Sequence, residues 1–140
     1  MKPFNVYLDS DVLVSSYLSF TGAASLLLNQ DNLVKFYTNI QENELKIVFE
    51  RLSIEPIQLF QTLKKCTRIT LKSLNLDLYS KYTIDQNDRH IIAGAVASDS
   101  KYLISYNLKH FRLETIKRDF SINTLSPAQF LQFLRSTKQI

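Results

Sequence analysis

Short apolar runs alternate with longer amphipathic stretches along this chain. The first run, Val6 to Leu8, is rich in β-prone residues and stops at Asp9-Ser10-Asp11, after which a largely apolar stretch begins. This order of residues predicts a buried strand, a capped turn and a helix. Further strands are predicted at 33–37, 102–104 and 122–125, and helices at 12–20, 23–28, 40–52, 56–63, 75–82, 91–97 and from 127 onward.

The alternation of short apolar strands with helices indicates the class of fold. Strands that are apolar on both faces belong in a parallel sheet that helices cover on both sides. We therefore expect an α/β three-layer sandwich with a central, mostly parallel sheet of four or five strands. A chain of 140 residues is the size of one domain, so we expect a single domain over residues 1–140.

The composition excludes several common kinds of site. The two glycines, Gly22 and Gly94, lie far apart, whereas nucleotide-binding loops need clustered glycines. The single cysteine, Cys66, excludes an internal disulfide and every zinc motif with several cysteines. His90 and His110 are too far apart for a metalloprotease helix motif. The carboxylates remain as the residues able to carry metal or acid–base chemistry.

The charge of the chain bears on its partners and its location. Seventeen basic against 13 acidic residues give a net charge of +4, which suits a polyanionic partner. Asp9 comes too early for the apolar region of a signal peptide, and no apolar run approaches the roughly 20 residues of a membrane span. We therefore expect a cytoplasmic protein without a membrane partner.

Four polar residues stand where strands end or helices begin. Asp9 follows the first predicted strand, Asn107 follows the strand at 102–104, and Glu44 and Asp88 lie at or near helix starts. Because binding sites of parallel sheets form beyond the carboxyl ends of the strands, we expect these four residues to meet there. Taken singly, each also has an ordinary structural interpretation, as a helix cap, a solvated helix residue or a turn residue.

Carboxylates that meet at one place repel each other unless a cation neutralises them. Oxygen ligands without cysteine or paired histidine favour Mg²⁺ or Mn²⁺. Such an ion polarises a phosphoryl oxygen and activates a water, so the pattern predicts metal-dependent hydrolysis of phosphodiester bonds. Neighbouring residues are secondary candidates: Ser10, Asp11 and Ser105 for hydrogen bonds to the acids or to water, and Arg89, Lys109 and His110 for contact with phosphate.

The order of these residues resembles that of the PIN-domain family of ribonucleases. The run 6–16 looks like the family's opening, commonly Asp-Thr-Asn followed by apolar residues. Residues 88–95 and 102–111 are similar to its third and fourth motifs, and 125–131 resembles its closing helix. Glu44-Leu45 fits the second, least distinctive motif.

The resemblance implies a PIN-like pocket in which Asp9, Glu44 and Asp88 bind Mg²⁺ or Mn²⁺ and Asn107 completes the site. PIN domains of this size are mostly ribonucleases of single-stranded RNA, and many are the toxins of VapC-type toxin–antitoxin pairs. The resemblance therefore implies an RNA substrate, a cognate antitoxin protein as inhibitor, and frequently a homodimer.

Two positions depart from the family pattern. Many members carry Asp where this chain has Asn107, which removes one negative charge. Asp11 stands where Asn is frequent, so it adds charge close to Asp9 and leaves open whether one or two ions bind. The loss of the fourth acid also supports an alternative, a catalytically degenerate PIN-like module that binds RNA or protein without cleaving it. A phospho-acceptor receiver domain is disfavoured because the strand at 33–37 ends in Thr38-Asn39 rather than in an aspartate.

Overall fold

A five-stranded sheet lies at the centre of the computed structural model, which describes residues 4–72 and 76–137. All of its strand pairs are parallel, and the spatial order is β3-β2-β1-β4-β5. The strands are β1 (Phe4–Leu8), β2 (Leu33–Thr38), β3 (Thr67–Ile69), β4 (Tyr102–Ile104) and β5 (Asn123–Leu125). The predicted α/β fold with a central parallel sheet is confirmed.

Helices cover both faces of this sheet and form the outer layers of the sandwich. They are α1 (Ser10–Leu18), α2 (Ala23–Leu28), α3 (Asn39–Arg51), α4 (Pro56–Leu63), α5 (Arg89–Ala97), α6 (Leu113–Phe120) and α7 (Pro127–Ser136). Short 3-10 helices occupy Leu76–Tyr82, Gln86–Asp88 and Leu108–His110. None of the helices within the described ranges has both the length and the apolar character needed to cross a membrane.

The alternation of side chains along β1 divides the core into two layers. Val6 and Leu8 pack with buried residues of α1, α2, α3, α4 and α7 on one face. Tyr7, between them, packs on the other face with buried residues of α5 and α6. All three side chains are fully buried, so β1 is the central strand and its carboxyl end is held in place from both sides.

Three segments differ in detail from the prediction. The helix expected at 75–82 is the 3-10 helix Leu76–Tyr82, and its first predicted residue lies outside the described residues. The strand β3 was not predicted because its residues, Thr-Arg-Ile, are mostly exposed and carry no apolar pattern. The helix α6 was also missed, since it buries only one residue, Ile116, among its charged side chains.

The strand order reverses between β1 and β4, and this reversal opens a crevice at one edge of the sheet. β1 leads to β2 on one side, whereas the chain reaches β4 on the other side only after β3. The backbone N–H of Asp9 donates to the carbonyl oxygen of Ile104 at 2.9 Å, which fixes the ends of the two strands together. Parallel α/β sheets bind ligands at such a point.

Candidate active site

Asp9 lies at the carboxyl end of β1 and begins α1. Its carboxylate accepts a hydrogen bond from the backbone N–H of Ser10 at 2.7 Å, as the N-cap of the helix. Its other oxygen, Oδ2, accepts from the hydroxyl of Ser105 at 2.8 Å, just beyond β4. The capping interpretation of Asp9 therefore holds, and it does not exclude a site, because the cap occupies only one of the two oxygens.

Asp11 is held from the β4 side of the crevice. Its Oδ2 accepts from the side-chain amide of Asn107 at 2.9 Å and from the backbone N–H of Tyr106 at 3.1 Å. The Ser105 hydroxyl also lies 3.4 Å from this oxygen, so one serine touches both Asp9 and Asp11. The other oxygen of Asp11, Oδ1, is buried and has no hydrogen-bond partner among the described residues.

Glu44 projects toward the same edge from the first turns of α3. Its Oε2 lies 3.1 Å from Nε2 of His90, and its Oε1 lies 3.4 Å from the hydroxyl of Ser10. Glu42, the other acid in the first turns of α3, forms ion pairs with Arg68 at 2.7 Å and with Lys46 at 3.8 Å instead. Of the two acids, Glu44 is therefore the one that reaches the crevice.

Asp88 occupies the N-cap position of α5 but makes no side-chain capping hydrogen bond. Its Oδ2 lies 3.6 Å from Nδ1 of His110. The negative charges of Asp9 and Asp88 act on one another, and so do those of Asp88 and Glu44. Asp88 thus faces the other acids from the far side of the crevice, with its carboxylate not used by the helix.

The three aspartates hold their protons more tightly than isolated carboxyl groups. Burial and, after it, the neighbouring charge of Asp11 raise the pKa of Asp9 to about 7, against the hydrogen bonds from Ser105 and Ser10. Burial also raises the pKa of Asp11, although the backbone N–H of Tyr106 opposes the shift. The pKa of Asp88 is raised by burial too, and His110 opposes that shift. Burial therefore disfavours the charged forms of these acids, and a bound cation would favour their ionisation.

A buried glutamine joins the ends of β1 and β2 beneath the acids. Gln41 forms a capping box with Thr38 at the start of α3. Its Oε1 accepts from the hydroxyl of Tyr7 at 2.5 Å, and its Nε2 donates to the carbonyl of Leu8 at 2.6 Å and to Ser10 Oγ at 3.3 Å. Gln41 thereby fixes α3 relative to β1. The Thr-x-x-Gln spacing is a sequence signal for this capping box, and sequence reasoning missed it.

The three basic candidates have different surroundings. Arg89 pairs with Asp77 at 2.6 Å and donates to the carbonyl of Gln86. Its guanidinium is therefore engaged with residues other than the four candidate acids. Lys109 is exposed, and His110 lies beside Asp88. Of this set, His110 is the residue whose side chain the structure places beside a candidate metal ligand, whereas Lys109 is an exposed neighbour of it along the chain.

The donor set fits a hard divalent cation. Carboxylate oxygens are the ligands that Mg²⁺ and Mn²⁺ prefer, and the unpartnered buried Oδ1 of Asp11 is an acceptor that the fold leaves without a donor. Within residues 4–72 and 76–137, no three side chains of His, Cys, Asp or Glu are already grouped closely enough to hold an ion together. The acids are instead drawn toward separate partners: Asn107 for Asp11, His90 for Glu44 and His110 for Asp88.

Comparison with known proteins adds no family assignment. No family model matches the chain, and no curated protein matches it.

Proposed function

We propose that this chain is a Mg²⁺- or Mn²⁺-dependent endoribonuclease of the PIN type that hydrolyses RNA phosphodiester bonds. The observation that carries the proposal is that Asp9 and Asp11 both approach the Ser105 hydroxyl at the crevice between β1 and β4, and that the Oδ1 of Asp11 is buried with no hydrogen-bond partner among the described residues. Glu44 approaches the same edge through its contact with Ser10, and the charge of Asp88 acts on Asp9. A divalent ion bound in this crevice would lower the pKa of a water molecule and would polarise a phosphoryl oxygen of the substrate.

Each side chain has a role in this proposal. Asp9, Asp88 and Glu44 would hold the ion, and Asp11 is added to them because its Oδ2 approaches the same serine hydroxyl that donates to Asp9. Ser105 orients Asp9 by donating its one hydroxyl proton to it at 2.8 Å, while Asn107 fixes Asp11. Lys109 would contact the phosphate backbone as a cation, as basic residues do in sequence-independent nucleic-acid binding, and His110 would contact it by a hydrogen bond.

The experiment is cleavage of a fluorescent single-stranded RNA with Mg²⁺ or Mn²⁺ and with EDTA. We expect cleavage that EDTA abolishes and that Asp9→Asn and Asp88→Asn each reduce by at least about 100-fold, as expected for loss of a group that stabilises the transition state. Asp31→Asn is the matched control, because Asp31 is exposed and precedes the opposite, amino end of β2. Equal cleavage by all four proteins contradicts the proposal.

The proposal includes a regulatory partner, as the toxin of a toxin–antitoxin pair in the cytoplasm. An apolar cleft of about 1000 Å³ between α3 and α4 supports a protein partner. Phe49, Leu59 and Leu63 form its floor, and Phe60 is largely exposed at its edge. Grooves of this kind accept the apolar face of a partner helix.

Homodimerisation is also part of the proposal, and sedimentation of the purified chain measures it.

A second candidate function is a PIN-like module that binds RNA without cutting it. It is favoured by Asn107, whose amide satisfies Asp11 where many PIN domains carry an acid, and by the separate partners of the other acids. RNA binding that is retained in EDTA, without cleavage in Mg²⁺ or Mn²⁺, is the outcome that selects this candidate.

A further inference from the structure

His90 is a buried imidazole directly beside a candidate metal ligand. It is the second residue of α5, its side chain is 7% exposed, and its Nε2 lies 3.1 Å from Oε2 of Glu44. Asp88 precedes it by two residues at the start of the same helix. His90 therefore links the α5 side of the crevice to α3, which carries Glu44.

The surroundings of the ring decide which nitrogen carries the proton. Nδ1 is buried and has no hydrogen-bond partner in the part of the chain that the structure describes. A carboxylate only accepts hydrogen bonds, so the contact with Glu44 requires a proton on Nε2. The neutral ring with its proton on Nε2 satisfies this contact, and no neighbouring acceptor favours a proton on Nδ1.

Glu44 has little else to fix it. Its side chain is 46% exposed, and apart from His90 it contacts the hydroxyl of Ser10 at the long distance of 3.4 Å. A glutamate on the surface of a helix samples many rotamers, and ordering it costs conformational entropy. A donor that is itself immobilised in the core selects one of those rotamers before any ligand arrives.

We propose that His90 is a positioning residue that holds the Glu44 carboxylate toward the crevice by donating a hydrogen bond from Nε2. This inference rests on the proposed function, since it assigns the held carboxylate to the cation site. Hydrogen-bonded partners behind metal ligands commonly change metal affinity by about 10- to 100-fold when they are removed.

The first test needs no metal. Long-range ¹H–¹⁵N spectra of the metal-free protein report which imidazole nitrogen of His90 is protonated. We expect the Nε2–H tautomer in the wild type, with an Nε2–H signal that shifts or disappears in Glu44→Ala. A dominant Nδ1–H tautomer, or an Nε2–H signal unaffected by Glu44→Ala, overturns the inference whether or not the protein binds metal.

The second test is a double-mutant cycle on Mn²⁺ affinity, measured by calorimetry. We expect His90→Leu to weaken binding by about 10-fold or more, whereas His90→Gln, which presents an amide donor, restores most of the loss. In the Glu44→Ala background, His90→Leu should change affinity by less than about twofold, because the shared contact is already gone. In the Glu42→Ala background it should retain its full effect, since Glu42 pairs with Arg68 instead.

The outcomes separate the two claims. Melting temperatures in EDTA show whether each variant folds, and a folded His90→Leu that binds Mn²⁺ as tightly as the wild type overturns the role of His90 alone. If the wild type shows no Mn²⁺ binding that depends on Asp9, the proposed metal site fails, and the tautomer measurement still decides the contact with Glu44.

Discussion

The side-chain amide of Asn107 donates a hydrogen bond to Oδ2 of Asp11 at 2.9 Å, across the crevice between β4 and α1. The amide thus stands where a second carboxylate would oppose Asp11 directly. An amide holds Asp11 in place and adds no charge, whereas a carboxylate at the same position would repel it. In this chain, the negative charge that is missing at Asn107, after β4, is present at Asp11 instead.

Asn107→Asp should therefore make the stability of the chain depend on metal. In EDTA at pH 8, we expect a melting temperature several degrees below that of the wild type, because a donor is lost and two carboxylates face each other, at a cost of about 1–3 kcal/mol. Added Mn²⁺ should recover most of the difference, since one more acid strengthens the attraction for a cation. A variant that is destabilised equally with and without Mn²⁺ would contradict this expectation.

Asp11 should be as important for activity as Asp9. Its Oδ1 is buried and has no hydrogen-bond partner within residues 4–72 and 76–137, and its Oδ2 is fixed by Asn107 and by the backbone of Tyr106. We expect Asp11→Asn to reduce RNA cleavage by at least about 100-fold, because the substitution removes the charge at the centre of the site. Asp31→Asn is again the control. Cleavage by Asp11→Asn within about threefold of the wild type would return Asp11 to a purely structural role.

The raised pKa of Asp9, about 7, gives the metal-free protein an unusual pH dependence. An unfolded aspartate titrates near 3.9, so the folded state holds this proton more tightly and loses stability as the pH rises from about 4 to about 7. In EDTA, we expect the melting temperature to fall between pH 5 and pH 8 in the wild type, and to fall less in Asp9→Asn. Asparagine is a suitable matched substitution because it remains a good helix cap.

Other carboxyl groups also bear on that measurement. Burial raises the pKa of Asp11 and of Asp88 as well, so both add to the fall in stability with rising pH, whereas Asp119 behaves in the opposite way. The pKa of Asp119 is lowered, first by its hydrogen bond from Arg118, so its contribution to stability is lost only as the pH falls below about 4. It therefore stays constant between pH 5 and pH 8 and does not mask the effect of Asp9. An equally steep decline in wild type and Asp9→Asn would assign the pH dependence to other groups.

Gly94 on α5 is required by the ring of Tyr7. A Cβ at this position would overlap the phenol ring, whose hydroxyl donates to Gln41 beneath the acids. Alanine favours a helix interior by about 1 kcal/mol over glycine, yet we expect Gly94→Ala to lower the free energy of unfolding by about 1–3 kcal/mol in urea titrations, because the overlap outweighs helix propensity. A Gly94→Ala protein more stable than the wild type would show that the strand and helix can separate freely.

Much of the fold was accessible from the sequence because its central elements are apolar in short, bounded runs. β1 and α5 are buried on most sides, and their residues show it without any structural information. β3 was not predictable in the same way, since its three residues lie at the sheet edge and are mostly exposed. α6 has apolar residues at helical spacing, but they are few and stand among charged residues, so the search for apolar runs missed it.

The candidate site, too, could be predicted only in part from the sequence. Strand ends and helix starts identify Asp9, Glu44 and Asp88, because each stands at a boundary visible in the sequence. The contacts of His90 with Glu44, and of Asn107 with Asp11, join residues 46 and 96 positions apart. The sequence names Ser10, Ser105 and Asn107 as candidates beside the acids, but no local pattern indicates which acid each one contacts, nor that His90 contacts Glu44.

The most direct test of the cation site is a calorimetric titration of the metal-free chain with Mn²⁺ at pH 8, where Asp9 is ionised. We predict saturable binding to the wild type and to Asp31→Asn, and binding at least about 10-fold weaker to Asp9→Asn. Wild-type protein that takes up no Mn²⁺, or Asp9→Asn that binds it as tightly as the wild type, would contradict the assignment of these carboxylates to a metal centre.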